Sequence, residues 1–428
     1  MKKLLVIQVA AFGHAWAVRH GVRAVAGLPL RPLAPVFPAL TCTAQATLRT
    51  GLMPAAHGMV ANGFFDPLLR RAAFWEQSCA LVQGPRIWQT FRDRGGTVGL
   101  TFFQQSLGEP VDLLFSPAPI HTHGGGMIMG CYGQPSGLEA RLTAHAGGAF
   151  RLNRYWGPLA SVKASEWIAD AIAGLLAEPD VPDLLFTYLP GLDYDLQRFG
   201  PEHPRSLRAL ATVHAELDRL FAVAVANGYE VAAFGDYAIT AVTGAPVFPN
   251  RALRAAGFMA VREVRGMLYP DFHRSRAFAL ADHQVAPVAV PDPADLPRVA
   301  EILGALDGVA QVLDKAGQAA LGIDHPRAGE LLLVASPGRW FAYPWWSDAR
   351  EAPDYAGHVD IHNKPGYDPC ELFFGRSPFR TCQDHARIRG THGLVGPDGE
   401  AAFVSTQPFD SPTLPAFAAA LRAWLVPA

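Results

Sequence analysis

Aliphatic runs and stretches of helical spacing alternate along this chain. Residues 4–10 (LLVIQVA) are apolar with little alternation, the pattern of a strand covered on both faces of a parallel sheet. The same pattern recurs at 183–189 (DLLFTYL) and 230–234, and each run predicts a buried strand. Between them, 165–177 has helical periodicity with Trp167, Ile168, Ile172, Leu175 and Leu176 on one side, stopped by Glu178-Pro179. A long amphipathic helix is predicted over 206–226, ended by Asn227-Gly228. Upstream, 85–94 reads as a short helix and 97–103 as a strand, after which Gly and Pro crowd an excursion over about 104–150. Strands at 279–285, 288–290 and 331–335 and a helix at 296–306 predict a small second α/β unit, before a strand at 402–405 and a terminal helix at 417–426. Strand, helix, strand in succession predicts a parallel sheet.

The stretch from Thr41 to Gly51 carries four threonines and a cysteine, runs into an apparent helix and closes with Thr-Gly. Two readings follow from the residues: an ordinary capped helix, since Thr is favoured at N-caps, or a hydroxyl nucleophile held at a helix N-terminus, where N–H groups and the dipole favour an anion. Two further polar stretches follow buried strands: Asp193 to Pro201 after 183–189, and Asp236-Tyr237 after 230–234, the strand ends where open α/β sheets place ligands. Arg389-Gly390-Thr391-His392-Gly393 precedes the strand at 402–405.

Composition narrows the class. With 428 residues, half of them hydrophobic and 17% charged, the chain has ample core for one large α/β domain with an insertion. The net charge of −2 and the lack of a basic run argue against a nucleic-acid partner. Five cysteines at irregular spacing give neither a disulfide framework nor a zinc knuckle, which points to a reducing, cytoplasmic home. The Lys2-Lys3 start resembles a signal peptide, but Gln8 interrupts its apolar run, and no stretch reaches the ~18–20 apolar residues of a membrane span. His121-Thr122-His123 beside three glycines reads as a surface loop or a metal loop. The aromatic cluster Trp340, Phe341, Tyr343, Trp345, Trp346 reads as core or lid packing, or as a stacking platform. Asp282-His283 reads as an orienting pair, and His362-Asn363-Lys364 as a weak site element.

Taken in order, these segments resemble the nucleotide pyrophosphatase/phosphodiesterase branch of the alkaline phosphatase superfamily. Its pattern is Thr-Phe-Pro-Asn, a closing Thr-Gly, then Pro-x-x-His-Gly and an Asn; here Thr41, Thr50-Gly51, Pro54, His57-Gly58 and Asn62 take those positions, while Cys42-Thr43-Ala44 depart. The resemblance implies Thr41 as nucleophile and Asn62 as phosphate-oxygen donor. It implies metal ligation by Asp193, Gln197 (where His is expected) and His392 at one ion. At a second ion it leaves Asp236 with Thr41, because Ala10 stands for an Asp and Tyr237 for a His. Thr43, Tyr237, His362, Lys364 and Arg198 are secondary substrate-binding candidates.

The resemblance further implies an α/β, alkaline phosphatase-like three-layer sandwich: a mostly parallel central sheet with helices on both faces, the core at 1–250 and 381–428, and a small inserted α/β cap at 251–380. It implies hydrolysis of phosphate mono- or diesters of a small organophosphate or nucleotide-activated metabolite through phospho-Thr41. One or two divalent ions would assist, zinc first, with Mg²⁺, Mn²⁺ or Ca²⁺ better suited to oxygen donors. The alternatives are a metal-poor member of the fold performing another transfer, or a non-catalytic ligand-binding descendant.

Overall fold

The computed structural model describes residues 2–123, 126–377 and 380–426. Strands β1 (Leu4–Val9), β2 (Arg31–Leu33), β3 (Val98–Thr101), β4 (Leu113–Pro117), β5 (Cys131–Gln134), β6 (Leu184–Leu189), β7 (Glu230–Gly235) and, near the C-terminus, Ala401–Ser405 form one eight-stranded sheet. Its centre is parallel: β1 lies between β6 and β7 in register Leu4↔Leu184 and Leu4↔Glu230, and β3 and β4 continue parallel beyond β6. The edges turn antiparallel, with β5 on one side and Ala401–Ser405 followed by β2 on the other. All six residues of β1 are buried, as the unbroken aliphatic run requires.

Helices cover both faces. The long helices Lys163–Leu176 and Pro204–Ala226 pack on each other and on β6 and β7, while α1 (Thr41–Thr50) packs against the terminal helix Leu414–Leu425. The expected helix at 85–94 shrinks to Gln89–Asp93, since Pro85 and the turn before it hold the chain open.

A four-stranded antiparallel sheet, β8 (Phe278–Ala279), β9 (Val285–Ala289), β10 (Val309–Leu313) and β11 (Leu331–Ala335), stands apart with its own apolar cluster. The strand expected over 279–285 breaks here: Asp282 to Val285 is a tight turn, with His283 at φ 57°. Phe341, Tyr343, Trp345 and Trp346 are buried in this second cluster and Trp340 in a neighbouring one, so the aromatic run is core packing. Of the His121–Gly126 loop, Gly124 and Gly125 lie outside the described residues; Ile120–His121 pairs with Met127–Ile128.

Candidate active site

The site is assembled where the central strands end. β1 hands the chain to Ala10-Ala11, and Ala11 adopts φ 58°, a left-handed geometry that glycine takes without strain. β6 leads into helix Gly191–Phe199, which carries Asp193 and Gln197 one turn apart on one face. β7 leads into Asp236-Tyr237. Helix α1 presents Thr41 at its first position, and left-handed Gly51 closes it at φ 69°. A cavity of about 540 Å³ opens over these elements, with Thr41, Asn62, Asp193, Gln197, Tyr237, His283 and His392 among its walls.

The polar groups on the cavity floor form one connected chain. Thr41 Oγ1 donates toward the Tyr237 hydroxyl at 3.5 Å, and that hydroxyl donates to Asp193 Oδ1 at 3.0 Å. Gln197 Nε2 donates to Asp193 Oδ2 at 2.6 Å, and Tyr367 donates its hydroxyl to Gln197 Oε1 at 2.7 Å. Four rings stack in series beside this chain: Tyr237 on His392 (3.5 Å, 2°), His392 on His283 (3.8 Å), His283 on Tyr367 (3.7 Å). The phenols at the two ends of the column thus bind the two members of the Asp193–Gln197 pair.

Burial sets the protonation states. Asp193 is raised to about 6 by desolvation, opposed by its bonds from Tyr237 and Gln197. His392 and His283 are held well below the usual imidazole range by desolvation, so both are neutral at pH 7. His392 Nδ1 donates to the Ala39 carbonyl (2.8 Å), which leaves Nε2 as an acceptor 3.9 Å from Asp193 Oδ1. Cys42, raised to about 12 by burial, is a thiol at neutral pH and no competitor to Thr41 as a nucleophile.

Asn62 fixes the floor. Its Oδ1 accepts from Cys42 N (3.1 Å), its own N–H and Nδ2 donate to Asp282 (2.7 and 3.1 Å), and one Nδ2 hydrogen remains for a phosphate oxygen. Asp282 also accepts from His283 Nδ1 at 2.7 Å, which aligns a ring whose Nε2 is buried without a partner. Sequence reading weighed Asp282-His283 only as an orienting pair. Its place in the site depends on a contact 220 residues away in the chain, for which no local pattern exists.

The remaining candidates scatter. His362 reaches the cavity wall with Nδ1 on the Phe74 carbonyl (3.2 Å). Thr43 is fully buried off the cavity. Lys364 is locked between Asp368 and Glu371, each at 2.7 Å, and is not a cavity residue. Arg198 is likewise structural: it donates to the carbonyls of Leu372 and Ala160 and pairs with Asp195. Asp236 is also outside the cavity, with its oxygens taken by Gln8 Nε2 (2.9 Å) and Ala11 N (3.1 Å).

These positions do not fit two metal ions. The second-ion set has an alanine for one carboxylate, a phenol for its imidazole, and Asp236 already bonded away from the cavity. What remains, Asp193 Oδ1 and His392 Nε2 at 3.9 Å, fits one ion at most, since donors about 2 Å from a shared metal are no farther apart than this.

A mostly parallel sheet with helices on both faces and its polar site at the strand ends defines an alkaline phosphatase-like α/β protein. The family model for type I phosphodiesterase / nucleotide pyrophosphatase matches residues 27–368, and the chain belongs to that family. The family is typically dependent on divalent metal. An uncharacterised pyrophosphatase/phosphodiesterase of Schizosaccharomyces pombe is 24% identical over 172 residues, 40% of this chain but only 29% of the relative's length. Among solved structures, murine ectonucleotide pyrophosphatase/phosphodiesterase 5 superposes with TM-score 0.60 at 16% identity, covering 99% of this chain and 95% of its own. Phosphonoacetate hydrolase from Sinorhizobium meliloti 1021, in complex with phosphonoformate, gives 0.62 at 17% identity over the same shares. No helix among the described residues is long and apolar enough to cross a membrane.

Proposed function

We propose that the chain hydrolyses phosphate mono- or diesters of a small organophosphate or nucleotide-activated metabolite, with Thr41 as nucleophile and a covalent phosphothreonine intermediate. The observation that carries this reading is the hydrogen-bond path Thr41–Tyr237–Asp193 on the cavity floor. As Thr41 Oγ1 attacks phosphorus, its proton passes to the Tyr237 oxygen while the phenol proton passes to Asp193 Oδ1. Tyr237 ends neutral and Asp193 protonated. An Asp193 pKa of about 6 leaves the base ionised at pH 7 yet basic enough to accept. The first-turn N–H groups of α1 and the spare Nδ2 hydrogen of Asn62 hold the non-bridging oxygens. Asp193 returns its proton to the departing oxygen; water then adds to phosphorus, its proton passing through Asp193 and Tyr237 to the released Thr41 Oγ1, and phosphate, or a phosphomonoester from a diester, departs. A divalent ion held by Asp193 and His392 would supply Lewis-acid polarisation of a phosphoryl oxygen and, while bound, would replace the proton at Asp193 Oδ1.

The cavity mouth carries Trp75, Trp156, Met127, Met129 and Leu159, with Arg380 beside them. An apolar or aromatic ester group opposite the phosphate suits that lining. Residues 251–380 act in this reading as the cap that sets substrate choice, and His283, aligned by Asp282, offers a neutral acceptor to a substrate hydroxyl. Two solved neighbours were captured with phosphorylated or phosphonate ligands, the murine protein as an inactive variant with AMP and the hydrolase with phosphonoacetate, which supports a small phosphorus-containing ligand here. Turnover of a simple aryl phosphomonoester and an aryl phosphodiester by the wild type and Thr41→Ala tests the proposal: activity on either, abolished in the variant, is expected, and equal rates in both proteins overturn it.

A further inference from the structure

We propose that Asp368, Cys370 and His385 form a zinc site outside the catalytic cavity, binding one borderline-soft divalent ion. The donor atoms of these three residues lie within 4.8 Å of one another, and no other set of three His, Cys, Asp or Glu side chains among the described residues is so placed. Zinc held at about 2.0–2.3 Å by O, N and S donors spaces them roughly 3.3–3.8 Å apart, so a small closure of the side chains completes the set. Carboxylate, thiolate and imidazole together favour zinc over the hard cations.

His385 Nε2 is buried with no hydrogen-bond partner, and the ring stacks against Trp340. Desolvation holds the His385 imidazole below its usual range, partly offset by the nearby Asp368 carboxylate, and keeps it neutral, the form that ligates. Lys364 divides its single charge between Asp368 and Glu371, each at 2.7 Å. Asp368 gives Oδ2 to Lys364 but only a backbone N–H bond to Oδ1, from Cys370. Cys370 is a buried thiol of raised pKa. On binding it releases its proton to solvent and enters as thiolate, so affinity rises with pH. Cys382 lies close enough to Cys370 to influence its thiol.

The site bridges the short turns Pro369–Leu372 and His385–Arg387. Tyr367, Phe374, Arg380 and Thr381, from the same strap, line the cavity. The ion would therefore brace a cavity wall without touching substrate.

The test uses the full chain, stripped with chelator under reductant, and titrated with zinc against a chromophoric chelator and separately with Co²⁺. One thiolate-bound equivalent should be found, seen as a thiolate-to-metal charge-transfer band with Co²⁺, and Cys370→Ser and His385→Ala should each weaken this equivalent at least 100-fold, whatever metal Asp193 and His392 hold. His392→Ala should leave this equivalent in place. The wild-type cobalt spectrum decides the matter even where a variant folds poorly. Absence of that band in the wild type, or a thiolate-bound equivalent undiminished in both variants, overturns the proposal.

Discussion

The Tyr237 hydroxyl donates to Asp193 Oδ1 over 3.0 Å while lying 3.5 Å from Thr41 Oγ1. This phenol stands where the resembled pattern places a metal-binding histidine, and it connects Thr41 to a carboxylate. Tyr237→Phe keeps the ring stacked on His392 and removes only the proton path. We expect kcat to fall by about 10²–10⁴-fold with KM little changed, read by steady-state kinetics on an aryl phosphoester. An unchanged kcat would remove Tyr237 from the chemistry.

Asp193 must be ionised to accept the proton. Its pKa is raised to about 6, so kcat/KM should fall as pH drops through about 6, with a slope of one. The neutral histidines of the stack, held well below their usual range, add no limb near neutrality. Asp193→Asn should lose the limb together with the activity.

Asp236 predicts a stability profile. Burial raises its carboxyl to about 8, so the folded state retains a proton that the unfolded chain, at about 4, has given up. The contribution is fully present below about pH 4 and is lost as pH rises through about 8. Asp236→Asn should flatten the melting temperature across that window, since Gln8 Oε1, now without a partner, can turn to accept from the new amide. A slope identical to wild type in thermal melts would contradict this assignment.

On α1, Arg49 is fully buried against Glu109 (3.5 Å), which Arg86 also binds at 2.7 Å. Glu109→Ala leaves a buried guanidinium uncompensated, and we expect a loss of about 3–5 kcal/mol in denaturant unfolding. A loss below about 1 kcal/mol would mean that water reaches Arg49.

Much of this architecture is readable from the chain. The aliphatic runs at Leu4–Val9, Leu184–Leu189 and Glu230–Gly235 are buried central strands, because only a strand covered on both faces has no need of alternation. Asp193 and Tyr237 follow central strands, as the chain order predicts, and they line one cavity with Thr41, at a helix start, and His392. What a local pattern could not supply was side-chain direction. Asp236 sits beside Tyr237 in sequence but turns to Gln8 and Ala11, and Lys364 sits near His362 but turns to Asp368 and Glu371. Asp236 is turned by Gln8 and Ala11, more than 220 residues away in the chain, whereas Lys364 is turned by two carboxylates four and seven residues on that pair with its buried ammonium. The His283–His392 contact likewise exists only because the turn of the second sheet reaches the floor of the first.

The central claim is the covalent step at Thr41. Acid quenching of the wild type during turnover of an aryl phosphoester, followed by intact and peptide mass analysis, should find one phosphoryl group on Thr41 and none in Thr41→Ala. Sustained turnover with no phosphothreonine in the wild type and an undiminished rate in Thr41→Ala would contradict the account.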